Sequence, residues 1–248
     1  MRCVLPVEPS NYPKGWHSEV LAGPQTGFDA CYVVCSRLEP GAAGPALHQH
    51  AADQLYFVLA GEMTLQLGDY VTSAAPGTLV RIPEGTPHCN WNAGAADELH
   101  LELIAPAPEW SKVLLPAMAR HIPDPESLIK RPTGCESWQS SAHFQYRFLA
   151  DRSTGSAHIA VNLARLQPGG RGPDFHIHTF DQFYFVLRGT LTIDVGLATM
   201  KAPAMSLVAL PAGIVHRQRN DGAEAEEHLA ILIPAPAAGE RLDHPVSI

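Results

Sequence analysis

The chain repeats itself, and this repeat is the strongest constraint on its fold. The segment HQHAADQLYFVLAGEMTLQLG from His48 recurs as HIHTFDQFYFVLRGTLTIDVG from His176, at an offset of 128 residues. The same offset relates IPEGTPHCNWN from Ile82 to LPAGIVHRQRN from Leu210 without an insertion. Because every loop in this stretch keeps its length, the sequence indicates a duplicated domain. The boundary is expected near residue 120, which divides the chain into residues 1–120 and 121–248.

Each half has the pattern of an all-β domain. Short alternating or apolar runs such as TLVRIP and DELHLELIAP are separated by turns rich in Gly, Pro and Asn. Evenly spaced short strands of this kind predict a sandwich or a barrel. A helix is expected only in the connector, over PEWSKVLLPAMARH with a break at Pro116, and over PDPESLIK after it.

Composition excludes several classes of partner. The 248 residues carry a net charge of −8 and contain no basic run, which argues against a nucleic-acid or anionic-membrane partner. The sequence shows no apolar leader and no apolar run long enough to span a membrane, so we expect a cytoplasmic protein. The cysteines are odd in number and form no CxxC pair, which favours reduced thiols. They are Cys3, Cys31, Cys35, Cys89 and Cys135.

The histidine pattern predicts a metal site in each half. Residues two apart share one face of a β-strand, whereas on a helix they point about 200° apart. We therefore expect His48, His50 and Gln54 on one face of a single strand. The set suits a divalent ion such as Zn, Ni, Mn or Fe, one per half. An isolated His-x-His pair is usually a solvated strand edge, but here the whole set is kept in two diverged copies. The predicted ligands are His48, His50, Gln54 and His88 in the first half and His176, His178, Gln182 and His216 in the second.

These residues resemble the cupin superfamily, and the duplication resembles a bicupin. The first cupin motif, G(X)5HXH(X)3–4E(X)6G, is matched by Gly170 to Gly189 apart from one residue. In the first half it runs from His48 to Gly61, with the leading glycine displaced to Gly41. The second motif, G(X)5PXG(X)2H(X)3N, is matched from Gly77 to Asn92; its second copy runs from Pro211 to Asn220 and has Met205 in place of the leading glycine.

The resemblance implies two jelly-roll cupin β-barrels with one divalent metal ion in each. It also implies a pseudo-twofold relation between the barrels that mimics the dimer of single cupins, and it is compatible with a homodimer of the whole chain. The motifs are specific for fold and metal but weak for reaction type, because cupins catalyse many reactions and some bind ligands without catalysis.

One departure from the motif bears on chemistry. Cupins usually have Glu where both halves have glutamine, at Gln54 and Gln182. A neutral amide leaves the metal its full charge, which weakens the case for redox cycling and favours Lewis-acid action on a small oxygen-rich anionic substrate. We therefore expect isomerisation, hydration or elimination. Two alternatives stay open: a dioxygenase acting on an enol or diol, and a non-enzymatic ligand-binding or sensor barrel.

Other residues are assigned by strand parity. Tyr56 and Tyr184 are expected on the ligand side and are the candidate catalytic groups, because a phenol there could exchange a proton with an oxygen at the metal. Asn92 and Asn220 are expected beside the ligands as hydrogen-bond partners. Asp53 and Asp181 are expected on the opposite side, and His100 and His228 are interpreted as structural. Since Ala52 is matched by Phe180, the first cavity should be the roomier one.

Overall fold

The computed structural model describes residues 3–132, 138–140 and 143–247. The chain forms two compact units: an N-terminal unit, Glu8–Gly134, and a C-terminal unit made of Met1–Val7 and Cys135–Ile248. These units differ from the division at residue 120 in two segments. The connector after residue 120 packs with the N-terminal unit, and the first residues of the chain pack with the C-terminal unit.

The N-terminal unit contains eleven of the strands in the described part of the chain. They are β2 (Trp16–Ala22), β3 (Tyr32–Leu38), β4 (His48–Gln49), β5 (Asp53–Ala60), β6 (Met63–Leu67), β7 (Tyr70–Ala74), β8 (Leu79–Ile82), β9 (His88–Trp91), β10 (Glu98–Ala105), β11 (Leu115–Pro116) and β12 (Ile129–Lys130). They form two antiparallel sheets, in the orders β12-β8-β5-β10-β3-β2 and β11-β4-β9-β6-β7.

The C-terminal unit repeats this topology. Its strands are β1 (Val4–Pro6), β13 (Gln139–Ser140), β14 (Phe144–Ala150), β15 (Ala160–Leu166), β16 (His176–Ile177), β17 (Asp181–Arg188), β18 (Thr190–Val195), β19 (Ala198–Pro203), β20 (Ser206–Leu210), β21 (His216–Arg219), β22 (Glu226–Ile233) and β23 (His244–Pro245). The sheets have the orders β1-β20-β17-β22-β15-β14-β13 and β19-β18-β21-β16-β23.

The two units close the same sheet edge with different segments of the chain. In the N-terminal unit β12 pairs with β8, with Ile129 opposite Val80. In the C-terminal unit the corresponding edge strand, β20, pairs with β1, with Val4 opposite Val208. A bare edge would expose unpaired backbone N–H and C=O groups, and each short strand satisfies some of them. This pairing explains why the compact units do not follow the sequence boundary.

The prediction of a helix in the connector is wrong. The described residues contain only short 3-10 turns, which are Pro9–Asn11, Pro24–Thr26, Trp110–Lys112, Pro125–Leu128 and Arg152–Thr154. Between the two connector turns β11 pairs with β4, and after the second turn β12 pairs with β8. Pro116 has no backbone N–H to continue a helix, and pairing to an existing sheet satisfies the backbone instead. Among the described residues, no helix has the length and apolarity that a membrane crossing needs.

The interior of each unit is apolar away from the histidines. In the N-terminal unit the alternating residues of β6, Met63, Leu65 and Leu67, are fully buried. They pack in one cluster with Tyr56 and Val80 from the facing sheet. An equivalent cluster in the C-terminal unit contains Leu191, Ile193 and Tyr184. Period-two alternation therefore places one side of each strand in the barrel interior, as the sequence pattern predicts.

This packing predicts the effect of a core truncation. Leu65→Ala should lower the free energy of unfolding by about 2–5 kcal/mol, because it removes buried methyl groups and leaves a cavity. The control Val71→Ala lies on the neighbouring strand β7, where the side chain is 53% exposed, and it should change stability by less than about 0.5 kcal/mol. Urea denaturation checks both. Equal losses in the two variants would contradict the burial described here.

Candidate metal centres

The three histidines of each unit come together where two strands of one sheet meet. In the N-terminal unit β4 pairs with β9, and His48 lies directly opposite His88. His50 follows β4, the chain bends at Ala51 and Ala52, and it then enters β5 in the other sheet. The predicted single strand from His48 through Gln54 is therefore wrong: the chain turns between His50 and Gln54 and passes from one sheet to the other. The ligand set still converges because both strands line the same interior.

Backbone carbonyls orient the three imidazoles of the N-terminal unit. Nδ1 of His48 lies 2.8 Å from the carbonyl oxygen of Ala46, and Nδ1 of His88 lies 2.8 Å from that of Thr86. Nδ1 of His50 lies 2.5 Å from the carbonyl oxygen of Val113. A carbonyl can only accept, so each Nδ1 carries the proton and donates it. The Nε2 lone pairs then face the shared interior as potential ligands.

The C-terminal unit repeats the arrangement. Nδ1 of His176, His178 and His216 lies 2.6, 2.8 and 3.0 Å from the carbonyl oxygens of Asp174, Leu242 and Ile214. In each unit the ligand atoms of the three histidines lie within 4.8 Å of one another. Imidazole ligands of a metal commonly donate their other N–H to a backbone carbonyl, which fixes the tautomer.

The residues present fit a metal ion. Nε2 of His50, His88 and His178 is buried without a hydrogen-bond partner. A metal ion would accept the lone pair of each of these nitrogens. Burial lowers the pKa of His88 to about 3, with the charge of His48 as the second cause. Burial likewise lowers the pKa of His216 to about 3. These two imidazoles are therefore neutral at pH 7, which is the protonation state that binds a metal.

Both glutamines lie beside the histidines. The Oε1 atom of Gln54 is buried without a hydrogen-bond partner, and its Nε2 atom donates to Glu102 at 3.0 Å. The Oε1 atom of Gln182 lies 2.9 Å from Nε2 of His216. Since the Nε2 atom of His216 is also an acceptor, a cation is the natural partner for both atoms. The role of Gln54 and Gln182 as fourth ligands remains a proposal.

A row of two glutamates and one histidine on β10, which was not predicted from the sequence, flanks the first centre. Nδ1 of His100 lies 2.9 Å from a carboxylate oxygen of Glu98, and its Nε2 lies 3.4 Å from Glu102. Burial alone would lower the pKa of His100, but the charges of Glu98 and Glu102 raise it to about 10. Burial alone would also raise the pKa of Glu102, but the hydrogen bond and charge of His100 bring it below its ordinary value. The alternation Glu98, His100, Glu102 along β10 was the signal that could have identified it.

The second unit lacks a counterpart of Glu102. Glu226 and His228 repeat Glu98 and His100, and Nδ1 of His228 lies 2.9 Å from Glu226. Residue 230, however, is alanine, and Nε2 of His228 is buried without a hydrogen-bond partner. A different carboxylate lies near this centre: an oxygen of Asp243 is 3.7 Å from Nε2 of His176, and its side chain is 43% exposed.

The two tyrosines lie inside the barrels. The Tyr56 ring is 6.1 Å from that of His88, and the Tyr184 ring is 6.4 Å from that of His216. Tyr184 donates its hydroxyl proton to Oε1 of Gln182 at 3.0 Å. Burial, followed by the charge of Glu102, holds the pKa of Tyr56 well above its ordinary value. Both phenols therefore stay protonated, which suits a donor more than a base; their catalytic role stays a prediction.

Several other assignments can be compared with the structure. Asn92 and Asn220 do not act beside the ligands: Asn92 donates to the carbonyls of Leu38 and Ala96, and Asn220 repeats these bonds in its own unit. These asparagines fall past the ends of β9 and β21, where their amides hold a turn. Asp53 and Asp181 accept from the backbone N–H groups of Glu84 and Ala212, away from the histidines. The described cysteines Cys3, Cys31, Cys35 and Cys89 form no disulfide, and Cys135 lies outside the described residues.

The two cavities differ in size and lining. The first has a volume of about 350 Å³ and its mouth is formed by the exposed side chains of Trp16, Trp110 and Leu114. The second has a volume of about 140 Å³ and is lined by aromatic residues, among them Phe148 and Phe180. The Phe180 ring stacks on His178 at 4.8 Å between centroids. The larger first cavity agrees with the expectation from Ala52 and Phe180.

Comparisons with known proteins agree with this geometry. The model of the Cupin_2 family, described as a cupin domain, matches residues 35–104 and 162–232. Solved structures of Bacillus subtilis oxalate decarboxylase are similar in fold. One, determined at pH 4.6, has a TM-score of 0.73 at 16% identity and covers 94% of this chain and 76% of its own. Another, from a study of Mn(II) centres, has a TM-score of 0.72 at 16% identity and covers 95% of this chain and 78% of its own.

A search of curated protein sequences finds no match. The two family matches together cover more than half of the chain. The chain belongs to the cupin family, and its duplicated barrels make it a bicupin.

The histidine clusters predict a metal content that can be measured. His50→Ala and His178→Ala should each lower the metal content from two equivalents per chain to one, and the double variant should hold none, because each change removes one of three converging imidazoles. His121→Ala is the control, since that side chain is 77% exposed and belongs to neither cluster. Plasma mass spectrometry of the purified proteins gives the stoichiometry. Two equivalents retained by the double variant would refute the assignment.

Proposed function

We propose that this cupin is a metal-dependent enzyme that acts on a small oxygen-rich organic anion by isomerisation, hydration or elimination. The observation that carries the proposal is that Nε2 of His50 and Nε2 of His178 are buried without partners, each in a residue that lines the cavity of its unit. A purely structural metal site would be closed by its protein ligands. Here the first cavity extends from His48 and His50 to exposed side chains at its mouth.

The proposed ligands are the three histidines and one glutamine of each unit. A divalent ion held there would act as a Lewis acid and polarise a carbonyl or carboxylate oxygen of the substrate. Tyr56 and Tyr184 would donate a proton from their hydroxyl groups to a substrate oxygen. The aromatic walls would exclude water from the reacting atoms, which strengthens electrostatic interactions within the cavity.

The structural neighbours support two parts of the proposal, the bound divalent metal ion and the negative charge of the substrate. They are named for a reaction of oxalate, which is a small dicarboxylate, and one of them is described for its Mn(II) centres. At 16% identity the likeness to oxalate decarboxylase concerns the fold, and the reaction of this chain has to be argued from its own residues.

Redox chemistry at the first centre is the second candidate function, and Glu102 is the observation that favours it. The absence of a carboxylate at Gln54 argued against a metal that changes oxidation state. Glu102, however, accepts a hydrogen bond from Gln54 at 3.0 Å, so a negative charge lies beside the ligands after all. A dioxygenase acting on an enol or diol would use this unit, with its larger cavity.

Assays with and without oxygen distinguish these functions. Anaerobically purified protein is analysed for metal and then incubated with hydroxy acids, oxo acids, sugar acids and diols. The proposal expects metal-dependent conversion of an acid without oxygen uptake, abolished by the double variant His50→Ala/His178→Ala. Oxygen uptake with a diol would select the dioxygenase. A metal-loaded protein that binds an acid but converts none of them would select the non-enzymatic alternative.

The environments of the two glutamines predict that substitution by glutamate lowers activity more at Gln54 than at Gln182. Gln54→Glu should lower activity by about tenfold or more, because it replaces a donor to Glu102 with a second carboxylate and loses a charged hydrogen bond of about 1.5–3 kcal/mol. Gln182→Glu should have the smaller effect, since the neighbouring hydroxyl of Tyr184 can still donate to it. Steady-state kinetics and metal analysis check both variants.

The exchange variant Gln54→Glu/Glu102→Gln is the control for this prediction. It restores one donor and one acceptor in the same place, so it should recover stability and metal content relative to Gln54→Glu alone. Equal losses at Gln54 and Gln182 would contradict the difference between the two environments.

A further inference from the structure

In the N-terminal unit the carboxylate of Glu102 has three polar neighbours. It accepts from Nε2 of Gln54 at 3.0 Å and from the hydroxyl of Ser36, and Nε2 of His100 lies 3.4 Å away. On the adjoining strands, Glu102 is in register with Val34 and Tyr56. This carboxylate thus occupies a defined position between the buried imidazole of His100 and the amide of Gln54.

In the C-terminal unit the same position has lost its carboxylate but kept its main partners. Ala230 replaces Glu102 and is in register with Asn162 and Tyr184. His228 keeps the place of His100: its ring lies 4.9 Å from that of Tyr184, as the His100 ring lies 5.0 Å from that of Tyr56. Gln182 likewise keeps the place of Gln54.

One retained partner, His228, has a ring nitrogen without a hydrogen-bond partner and faces a cavity. His228 is 0% exposed, and its Nε2 atom has no partner. His228, Asn162, Gln218, Gln182 and Ala230 all line the second cavity. A buried polar atom without a partner costs about 1–3 kcal/mol, which a ligand of matching shape would recover.

We propose that the C-terminal unit binds a small carboxylate ligand in the place that the Glu102 side chain occupies in the N-terminal unit. One carboxyl oxygen is hydrogen-bonded to Nε2 of His228 through the proton that the acid brings, and the other accepts from the amide of Gln182, in the positions that the carboxylate oxygens of Glu102 occupy beside His100 and Gln54. The substrate class of the second centre is therefore a carboxylic acid, an identification that rests on the proposed function; the binding site itself does not.

Size and charge agree with such a ligand. The cavity of about 140 Å³ is below the range of about 300–1,000 Å³ typical of sites for drug-sized molecules, so it suits an acid of a few heavy atoms. Among the described residues that line it, Asp243 is the one acidic residue, and its side chain is 43% exposed. Because Ala230 replaces Glu102, Nε2 of His228 has no carboxylate partner among the described residues, and this position is open to the carboxylate of a ligand.

Calorimetric titration with sodium acetate tests the proposal. The wild-type chain should bind one acetate, and neutral acetamide, which has the same shape, should bind at least about tenfold more weakly. Ala230→Glu supplies an internal carboxylate and should abolish acetate binding while metal content stays unchanged. Glu102→Ala makes the reciprocal change and should add a second acetate site, in the N-terminal unit. The two variants are matched, because each copies the residue that the other unit already tolerates.

The outcomes separate this inference from the proposed function. Acetate bound directly to the metal would persist in Ala230→Glu with unchanged affinity, and that result would overturn the inference while leaving the enzyme proposal intact. Acetate bound by metal-free protein and lost in Ala230→Glu would support the inference even if no substrate is ever converted. If Ala230→Glu fails to fold, Glu102→Ala decides: an unchanged stoichiometry of one in that variant also overturns the inference.

Discussion

The hydrogen bond from each histidine Nδ1 to a backbone carbonyl is the interaction on which the candidate site depends. It fixes the tautomer, turns the ring, and directs the Nε2 lone pair into the barrel. Two of the three carbonyls in each unit belong to the residue two positions before the histidine, as with Ala46 and His48, so local backbone shape provides them. The resulting lone pairs lie close together in a buried place, where burial keeps imidazoles such as His88 neutral. A neutral, preoriented nitrogen is a metal ligand that needs no rearrangement.

The third carbonyl comes from a segment distant in sequence. Val113 accepts from His50, and Leu242 accepts from His178, 63 and 64 residues along the chain. Each lies just before a short strand, β11 or β23, that pairs with the histidine strand of its own unit. These segments therefore close the end of the barrel and orient a ligand at the same time. This double role accounts for the extended backbone in a stretch whose composition suggested a helix.

The two copies differ around the histidines in charge and in space. The ligand histidines, the glutamines and the buried Glu–His pairs are kept, whereas the residues that set charge and space are exchanged. Glu102 becomes Ala230, and Ala52 becomes Phe180. The first centre thus has an internal carboxylate and a cavity of about 350 Å³, and the second has an unpartnered imidazole nitrogen and a cavity of about 140 Å³. Two equivalent scaffolds that differ in this way are suited to different ligands, or to one catalytic and one binding role.

By itself the sequence determined the duplication, the all-β class, and the six histidines that form the two clusters, because repeat spacing and period-two alternation are local properties of a chain. It could not show that Gln54 lies on a different sheet from His48, since a bend at a barrel corner has no strong local signal. Glu102, 48 residues from Gln54, became a neighbour of the site only through the pairing of β10 with β5. The tertiary structure alone decided which polar groups in each barrel have partners and which have none, because a hydrogen bond between distant strands depends on their register in space.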